Sequence, residues 1–137
     1  MKIAIINGPN LNLLGIREPG IYGRQTFEDF LKELREKYPG VQIGYFQSNV
    51  EGELVTELQR VGFSYDGILL NAAAYTHTSI AIGDAISAIK TPVVEIHISN
   101  VAAREEYRLR SVVGSKCVGS ISGLGLKGYE LGLLYFL

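Results

Sequence analysis

Strand-like and helix-like segments alternate along this chain, and that alternation limits the possible folds more than any other feature of the sequence. Short apolar, β-branched runs such as residues 2–6 and 67–71 predict strands that are buried on both faces. Each run is followed by a polar segment and then by apolar residues at helical spacing, as in residues 27–38. This pattern is typical of a parallel sheet that is covered by helices on both faces.

The predicted elements keep this order throughout. Strands are expected at residues 2–6, 41–46, 67–71, 91–98 and 117–121, and helices at residues 27–38, 80–89 and 125–137. Thr26 is the expected cap of the first helix, and a further helix is expected to begin after Ser48 or Asn49 and to end at Gly62. A chain of 137 residues is long enough for one well-buried domain and too short for two ordinary ones. The sequence therefore predicts a single α/β domain over residues 1–137, with a flavodoxin-like doubly wound sheet in the order 2-1-3-4-5.

The composition argues against several classes of partner. A formal net charge of −1 and a charged content of 20% leave no basic stripe of the kind that nucleic acids favour. No signal-type segment and no apolar run of transmembrane length is visible, which predicts a cytoplasmic protein without a membrane partner. The lone cysteine, Cys117, forbids an internal disulfide, and we expect it to be a small buried apolar residue rather than a reactive thiol.

The carboxyl ends of the first, third and fourth predicted strands carry most of the side chains that are able to do chemistry. Ligands of open α/β sheets bind at such ends, and these three strands are neighbours in the predicted order. We therefore expect one crevice. Its side chains would be Asn10, Asn12, Arg17 and Tyr22 after the first strand, Asn71, Tyr75 and His77 after the third, and Glu95, His97, Ser99 and Asn100 on or after the fourth.

Two pairs of residues in this crevice are candidates for acid–base chemistry. Glu95 and His97 are two apart on a strand, so their side chains share a face. A carboxylate there favours the imidazolium, which suits a general acid, although a core histidine at a strand end is the alternative interpretation. Arg17 and Tyr22 form the second pair, because a guanidinium favours the phenolate that a tyrosine base needs. The alternative is a solvated Arg17 and a Tyr22 that packs the loop.

Other kinds of site have weaker support in the sequence. The first loop lacks both glycine-rich fingerprints of phosphate-binding loops. His77 and His97, with Glu95 or Asp84, match no strong metal-ligand spacing, so no metal is expected. The lysines lie away from the crevice, which argues against an imine intermediate. We therefore expect acid–base work on a bound small molecule without a cofactor.

Five separated motifs resemble those of one enzyme family. They are NGPNLNLLGxRxPxxYG at residues 7–23, QSNxEGE at 47–53, NxxAYTHTS at 71–79, EIHISN at 95–100 and ARE at 103–105. In this order, and over essentially the whole chain, they resemble the type II 3-dehydroquinate dehydratases. That resemblance implies a hydro-lyase that removes water from 3-dehydroquinate to give 3-dehydroshikimate through an enolate intermediate. The reaction belongs to the shikimate pathway or to quinate breakdown.

The resemblance also implies roles for individual residues. Tyr22 matches the family's base, and Arg17 matches the residue that activates it. His97 matches the general acid, which Glu95 orients. Asn10 matches the amide that holds a water near the enolate oxygen.

Further matches imply how substrate is bound and how the family assembles. The matching substrate-binding residues are Asn71, His77, Ser99 and Arg108, together with the backbone of Ile98. Asp84 matches a residue that reaches the site from a neighbouring subunit. The family assembly is a homo-dodecamer built as a tetramer of trimers.

The chain departs from the usual family pattern at Val50, Ala102, Glu106 and Tyr107. None of these is the proposed acid, base or activator, so the reaction stays the leading prediction, while the loop geometry around Arg108 is left open. The main alternative is a non-catalytic flavodoxin-like module that binds a small ligand. A response regulator would need clustered acidic residues where this chain has asparagines.

Overall fold

The computed structural model describes residues 1–16 and 24–137, which form a parallel sheet with helices on both faces. The strands are β1 (Lys2–Asn7), β2 (Gln42–Gln47), β3 (Gly67–Asn71), β4 (Val93–His97) and β5 (Gly119–Ser122). The helices are α1 (Phe27–Lys37), α2 (Glu51–Val61), α3 (Ile80–Ala88) and α4 (Lys127–Phe136). The strand order in the sheet is β2-β1-β3-β4-β5. This order confirms the predicted flavodoxin-like sheet.

The sheet separates two apolar cores, because side chains alternate between its faces along each strand. Ile5 and Ile96 belong to the core that includes residues of α1 and α4. Ile6 and Leu70 belong to the core on the other face, with residues of α2 and α3. Strands buried on both faces need apolar side chains at successive positions, which explains the unbroken apolar runs of the sequence.

Polar residues meet at the carboxyl edge of this sheet because the strands are in parallel register. Asn7 at the end of β1 pairs with Asn71 at the end of β3. Glu95 of β4 pairs with Ser120 of β5. The edge of an otherwise apolar sheet therefore carries amide, carboxyl and hydroxyl groups side by side.

The helix caps follow the prediction for α1 but not for α2. Thr26 caps α1 as predicted. The cap position of α2 is Val50, which makes no side-chain cap hydrogen bond, so the prediction of Ser48 or Asn49 is wrong. The Ser48 hydroxyl accepts a hydrogen bond from the Val50 N–H at 2.9 Å, and Asn49 Oδ1 accepts one from the Asn10 N–H at 3.0 Å. Both side chains are therefore used before the helix begins.

The connection from α3 to β4 explains a second difference, because it is bonded to the residues that follow α2. The Thr91 N–H donates to the Gly62 carbonyl at 2.8 Å, and the Thr91 hydroxyl donates to the Tyr65 carbonyl at 2.9 Å. These bonds hold Thr91 outside the sheet, so β4 begins at Val93 rather than at residue 91. Gly62 ends α2 as predicted, but its φ of −70° is right-handed. A Cβ at this position would overlap the Ile89 side chain, so the glycine is needed for close packing.

The turn before β5 contains the lone cysteine. The Cys117 N–H donates to the Gly114 carbonyl at 3.1 Å, which places Cys117 in a turn and delays the start of the strand to Gly119. Burial, assisted by the charge of Glu95, raises the pKa of the Cys117 thiol to about 12. A thiol that is protonated at neutral pH is a poor nucleophile, which supports a structural role for Cys117.

A buried carboxylate joins the carboxyl end of α1 to α4. Glu130 is 7% exposed, and its Oε2 accepts a hydrogen bond from the Tyr38 hydroxyl at 2.6 Å. The same oxygen lies 2.6 Å from Lys37 Nζ, and Oε1 lies 2.9 Å from Lys127 Nζ. Hydrogen bonds from Lys37, Tyr38 and Lys127 lower the pKa of Glu130 to about 2.

We expect Glu130 to make stability depend on pH in the acid range. Its folded-state pKa of about 2 lies below that of an unfolded glutamate, about 4.3, so its stabilisation is complete above the higher value and is lost as pH falls through the lower one. Glu130→Gln should lower the free energy of unfolding at pH 7 by about 1–2 kcal/mol and flatten its decline at acid pH. Urea denaturation at a series of pH values measures both effects. Glu36→Gln, at an exposed position of α1, is the control, and equal losses in the two variants would contradict the prediction.

Candidate active site

A cavity opens at the carboxyl ends of β1, β3 and β4, where the predicted strand order places a crevice. The predicted site residues that line it are Asn10, Asn71, His77, His97, Ile98, Ser99 and Arg108. Amide, imidazole and guanidinium groups thus face one small space. Such a lining suits a polar, negatively charged small molecule.

His97 and Glu95 form a buried pair on the wall of this cavity. They lie on the same face of β4 and are 7% and 3% exposed. His97 Nε2 is 3.2 Å from Glu95 Oε2. The carboxylate therefore fixes the orientation of the imidazole ring. Nδ1 is the ring nitrogen that Glu95 does not engage.

Two serines hold the carboxyl group of Glu95 from different parts of the chain. The Ser111 hydroxyl donates to Oε2 at 2.6 Å, and the Ser120 hydroxyl of β5 donates to Oε1 at 3.1 Å. Burial alone would raise the pKa of Glu95, but hydrogen bonds from His97, Ser111 and Ser120 outweigh it and lower the pKa below its ordinary value. Glu95 is therefore ionised at neutral pH.

His77 lies beside His97 in a short helical turn after β3. The two imidazole rings are nearly parallel, with centroids 6.5 Å apart. His77 Nδ1 is 2.8 Å from the backbone carbonyl oxygen of Arg110. Because a carbonyl oxygen only accepts hydrogen bonds, Nδ1 carries a hydrogen, and Nε2 of the neutral ring is an acceptor. His77 can thus accept a hydrogen bond from a ligand hydroxyl.

Asn71 is held by a buried polar network beneath the cavity. Its amide nitrogen donates to the Tyr129 hydroxyl at 3.0 Å, and its Oδ1 accepts from the Ala73 N–H at 3.1 Å. The Tyr129 hydroxyl in turn donates to Asn7 Oδ1 at 2.7 Å. Burial raises the pKa of Tyr129 above its usual range, so it stays a neutral phenol. Asn71 keeps its second amide hydrogen for a ligand and acts there as a donor.

Asn10 is placed by the loop that follows β1. Its backbone is left-handed, with φ 70°, a conformation that asparagine tolerates better than most residues. The Asn10 N–H donates to Asn49 Oδ1 at 3.0 Å, and Gln47 Nε2 donates to the same oxygen at 3.2 Å. The connection between β2 and α2 therefore fixes the first part of this loop against the cavity.

Two arginines supply positive charge to the cavity from the loop after β4. Arg108 Nε is 2.7 Å from Glu105 Oε2, and its side chain is 18% exposed. Arg104 Nη1 is 3.4 Å from the Ser99 hydroxyl, and its Nε is 3.9 Å from Glu105 Oε2. Both arginines line the cavity. Glu105 thus fixes two guanidinium groups where an anionic ligand would sit.

Comparison with known proteins identifies the family. The family model described as Dehydroquinase class II matches residues 1–137. The chain belongs to this family. It is 50% identical over 136 residues to a 3-dehydroquinate dehydratase of Campylobacter lari, covering 98% of this chain and 85% of that one. It is also 50% identical over 143 residues to the 3-dehydroquinate dehydratase of Fusobacterium nucleatum, covering 100% and 97% of the two chains.

Solved structures of class II dehydroquinases agree with the fold. The type II dehydroquinase from Butyrivibrio crossotus superposes with a TM-score of 0.95 at 44% identity, covering 99% of this chain and 97% of that chain. The enzyme from Propionibacterium acnes gives a TM-score of 0.90 at 41% identity, covering 98% and 94%. The family predicted from the motifs is therefore confirmed, and the alternative of a non-catalytic binding module is not favoured.

Two predicted site residues of this dehydroquinase, Glu95 and Asp84, do not line the cavity. Glu95 lies behind His97 and does not itself line the cavity. Asp84 is exposed on α3 and does not line the cavity of its own chain. Arg17 and Tyr22 lie outside the described residues, so their roles stay predictions.

Arg104 is a charged residue of the cavity that was not predicted from the sequence as a site residue. It stands inside the ARE motif, four residues before Arg108, but spacing alone gave no reason to place both guanidinium groups in one cavity. Arg104 follows one short helical turn, Val101–Ala103, and Arg108 ends the next, Glu106–Arg108, and both side chains line the cavity. Within residues 1–16 and 24–137, no group of three or more His, Cys, Asp or Glu side chains is arranged to hold a metal ion.

Proposed function

We propose that this chain eliminates water from 3-dehydroquinate to give 3-dehydroshikimate through an enolate intermediate. The observation that carries this proposal is the buried Glu95–His97 pair on the wall of a polar cavity, in a chain that belongs to the class II dehydroquinases. Such an elimination needs one group that removes a proton next to the ketone and another that donates a proton to the leaving hydroxyl. The reaction is a step of the shikimate pathway and of quinate breakdown.

We assign the proton-donating half of the reaction to His97. The ionised Glu95 favours the imidazolium form of His97 and holds its ring in one orientation. The imidazolium gives its proton to the hydroxyl group of the enolate intermediate, which leaves as water. Glu95 stays a carboxylate throughout and keeps the positive charge of the ring stable until the proton is transferred.

We assign the proton-removing half to the loop after β1, with Tyr22 as base and Arg17 as its activator. This assignment rests on the motif at residues 7–23, since neither residue is among those described. The pKa of a free phenol is about 10, so the phenol needs a nearby cation to act as a base at neutral pH. Asn10 lies at the cavity, where its amide holds a water against the enolate oxygen and stabilises the developing charge.

Substrate recognition divides between charged and neutral groups of the cavity. The guanidinium groups of Arg104 and Arg108 are suited to the substrate carboxylate, because charge-assisted hydrogen bonds of this kind are strong and directional. The groups that we assign to the substrate hydroxyls and carboxylate are the Asn71 amide, the His77 imidazole, the Ser99 hydroxyl and the Ile98 backbone.

We further propose a homo-dodecamer, a tetramer of trimers, in which Asp84 of each chain reaches the site of a neighbour. The exposed position of Asp84 supports a role outside its own cavity. Leu134, Tyr135 and Leu137 near the end of α4 are large apolar side chains that are about half exposed or more, as expected of an interface. Sedimentation should give twelve times the mass of the 15.0-kDa chain.

A cytoplasmic location stays part of the proposal. It rests on the lone Cys117, because a chain with a single cysteine fits a reducing compartment. In the part of the chain that the structure describes, no helix is both long and apolar enough to cross a membrane. We propose that the whole chain works there as one catalytic domain.

The reaction is tested by following the conjugated enone of the product in the ultraviolet, with 3-dehydroquinate and protein dialysed against a chelator. We expect steady turnover without added metal or cofactor, because the proposed chemistry needs only protein groups. The Tyr22→Phe variant, purified in the same way, controls for traces of a host dehydratase. Substrate binding without turnover would contradict the proposal and support a binding module.

A further inference from the structure

We propose that Ser111 is a positioning residue for proton donation, because it aligns the Glu95 carboxylate that orients His97. This inference rests on the proposed role of His97 as general acid. The carboxyl group of Glu95 lies between the Ser111 hydroxyl and the His97 imidazole, so Ser111 acts on the ring through Glu95. It belongs to the loop between the Glu106–Arg108 turn and β5, so it lies outside the motifs quoted from the sequence.

The direction of the hydrogen bonds around Ser111 carries the argument. The Gly114 N–H donates to Ser111 Oγ at 2.9 Å, so a lone pair of this oxygen is already occupied. The hydroxyl hydrogen then points to Glu95 Oε2, 2.6 Å away. The same Oε2 faces His97 Nε2 at 3.2 Å. A continuous series of polarised hydrogen bonds therefore ends at the proposed acid, His97. It runs from the Gly114 N–H through the Ser111 hydroxyl and the Glu95 carboxylate to the imidazole.

Ser120 provides a natural comparison, because it binds the other oxygen of the same carboxyl group. Its hydroxyl donates to Oε1 at 3.1 Å from the neighbouring strand β5. Loss of Ser120 leaves Oε2 with both of its partners. Loss of Ser111 instead leaves the oxygen that faces His97 with one partner fewer and frees the carboxylate to turn. The two serines should therefore differ in their effect on His97.

The space around this carboxylate is tight, which limits how far water can replace the Ser111 hydroxyl. A Cβ at Gly114 would lie 3.0 Å from Glu95 Oε1 and 3.1 Å from Ser111 Oγ. The backbone of this turn thus packs directly against both groups. Water therefore has little room to replace the Ser111 hydroxyl. Removal of that hydroxyl should leave the Glu95 carboxylate with one hydrogen bond fewer.

The titratable groups that face Glu95 in the described residues are the His97 imidazole and the Cys117 thiol. Burial and the charge of Glu95 raise the pKa of Cys117 to about 12, so the thiol stays neutral over the range in which the enzyme is assayed. The acid limb of the rate profile also contains the ionisation of the base, which we assign to Tyr22. A substitution of Ser111 acts on the Glu95 carboxyl group, so the change that it makes in this limb reports on the Glu95–His97 pair. Because Ser111 donates to the ionised form of Glu95, its loss should raise the pKa of that carboxyl and move the acid limb of kcat to higher pH.

The test compares Ser111→Ala with Ser120→Ala in three measurements: the pH profile of kcat, KM, and exchange of the proton next to the ketone with solvent deuterium. Ser111→Ala should lower kcat for dehydration about 10-fold, as expected for loss of one hydrogen bond to a charged group. It should also move the acid limb upward, with KM and deuterium exchange changed less than about twofold, within the effect of a surface substitution. Ser120→Ala should lower kcat less than Ser111→Ala does, and it should move the acid limb of the pH profile by less.

Several outcomes would overturn the inference. They are an unchanged acid limb in Ser111→Ala, equal losses of dehydration and exchange, or a Ser120→Ala effect as large as that of Ser111→Ala. Ser111→Cys keeps a weak donor of similar size, so it should move the acid limb of kcat in the same direction as Ser111→Ala but by less. If the alanine variant did not fold, an unchanged acid limb in Ser111→Cys would still contradict the role of Ser111. If His97→Ala left dehydration intact, the proposed role of His97 would fail instead, and that result is distinct from a failure of Ser111 alone.

Discussion

Tyr22→Phe should lower the turnover number for 3-dehydroquinate by about 10²–10⁴-fold, the range that a positioned general base contributes. The substitution removes one oxygen atom and keeps the ring, so it removes the proposed proton acceptor with little change in side-chain size. Phenylalanine cannot accept a proton, and the other polar groups that line the cavity are assigned to substrate binding, enolate stabilisation or proton donation. Substrate affinity should fall only slightly, because the carboxylate and hydroxyl contacts are assigned to other residues.

This prediction is measured by the ultraviolet assay together with a binding titration of a stable substrate analogue. Tyr65→Phe, an equally conservative change just before the amino end of β3 and outside the cavity, is the matched control and should keep normal turnover. Near-normal turnover in Tyr22→Phe would reject the assignment of the base. A parallel loss of binding and turnover would show instead that Tyr22 only holds the loop in place.

His97→Ala should lower the rate of dehydration by a comparable factor, about 10²–10⁴-fold, because the leaving hydroxyl then departs without a proton donor. The substitution also leaves the ionised Glu95 without its imidazole partner in a buried position. Part of the loss should be recovered when imidazole is added to the assay, because the deleted ring leaves a space of its own size beside the carboxylate.

His77→Ala is the natural comparison, since the two rings lie side by side in one cavity. We assign His77 to substrate binding, so its variant should raise KM more than it lowers kcat. It should not respond to added imidazole in the same way as His97→Ala, because no proton donor has been lost. Equal kinetic changes in the two variants would contradict the separate roles of the two histidines.

The fold could be predicted from the sequence where local pattern and global packing agree. β3 is an unbroken apolar run between a glycine and an asparagine, and its observed bounds, Gly67–Asn71, are those predicted. The start of β4 could not be predicted, because it depends on hydrogen bonds from Thr91 to Gly62 and Tyr65, about 26 to 29 positions earlier in the chain. Strand patterns carry no information about such distant partners.

The titratable pair of the site could be predicted from the sequence, but the residues that hold this pair in place could not. Glu95 and His97 are two apart on one strand, so the period of the strand alone puts them on a common face. Ser111 and Ser120 reach Glu95 across 16 and 25 positions, through a turn and a neighbouring strand. Tyr129 reaches Asn7 from the opposite end of the chain. Serine and tyrosine are common residues, and only the folded chain shows which of them contact the site.

The family resemblance supplied what the residues alone could not. Arg17 and Tyr22 are five apart in a loop, and their interpretation as a base with its activator comes from the motif in which they stand. The family itself is confirmed over residues 1–137. The departures at Ala102 and Tyr107 lie in the loop that carries Arg104 and Arg108, where both guanidinium groups still line the cavity.

We propose that one reaction is divided between two parts of the chain: Tyr22, after β1, removes a proton, and His97 of β4 donates one. The most direct test is nuclear magnetic resonance of 3-dehydroquinate in deuterated water with the His97→Ala variant, which reports exchange next to the ketone and dehydration in the same sample. We predict that exchange continues at close to the wild-type rate while dehydration falls about 10²–10⁴-fold. Equal loss of exchange and dehydration would contradict the division and would reduce His97 to a residue that only binds substrate.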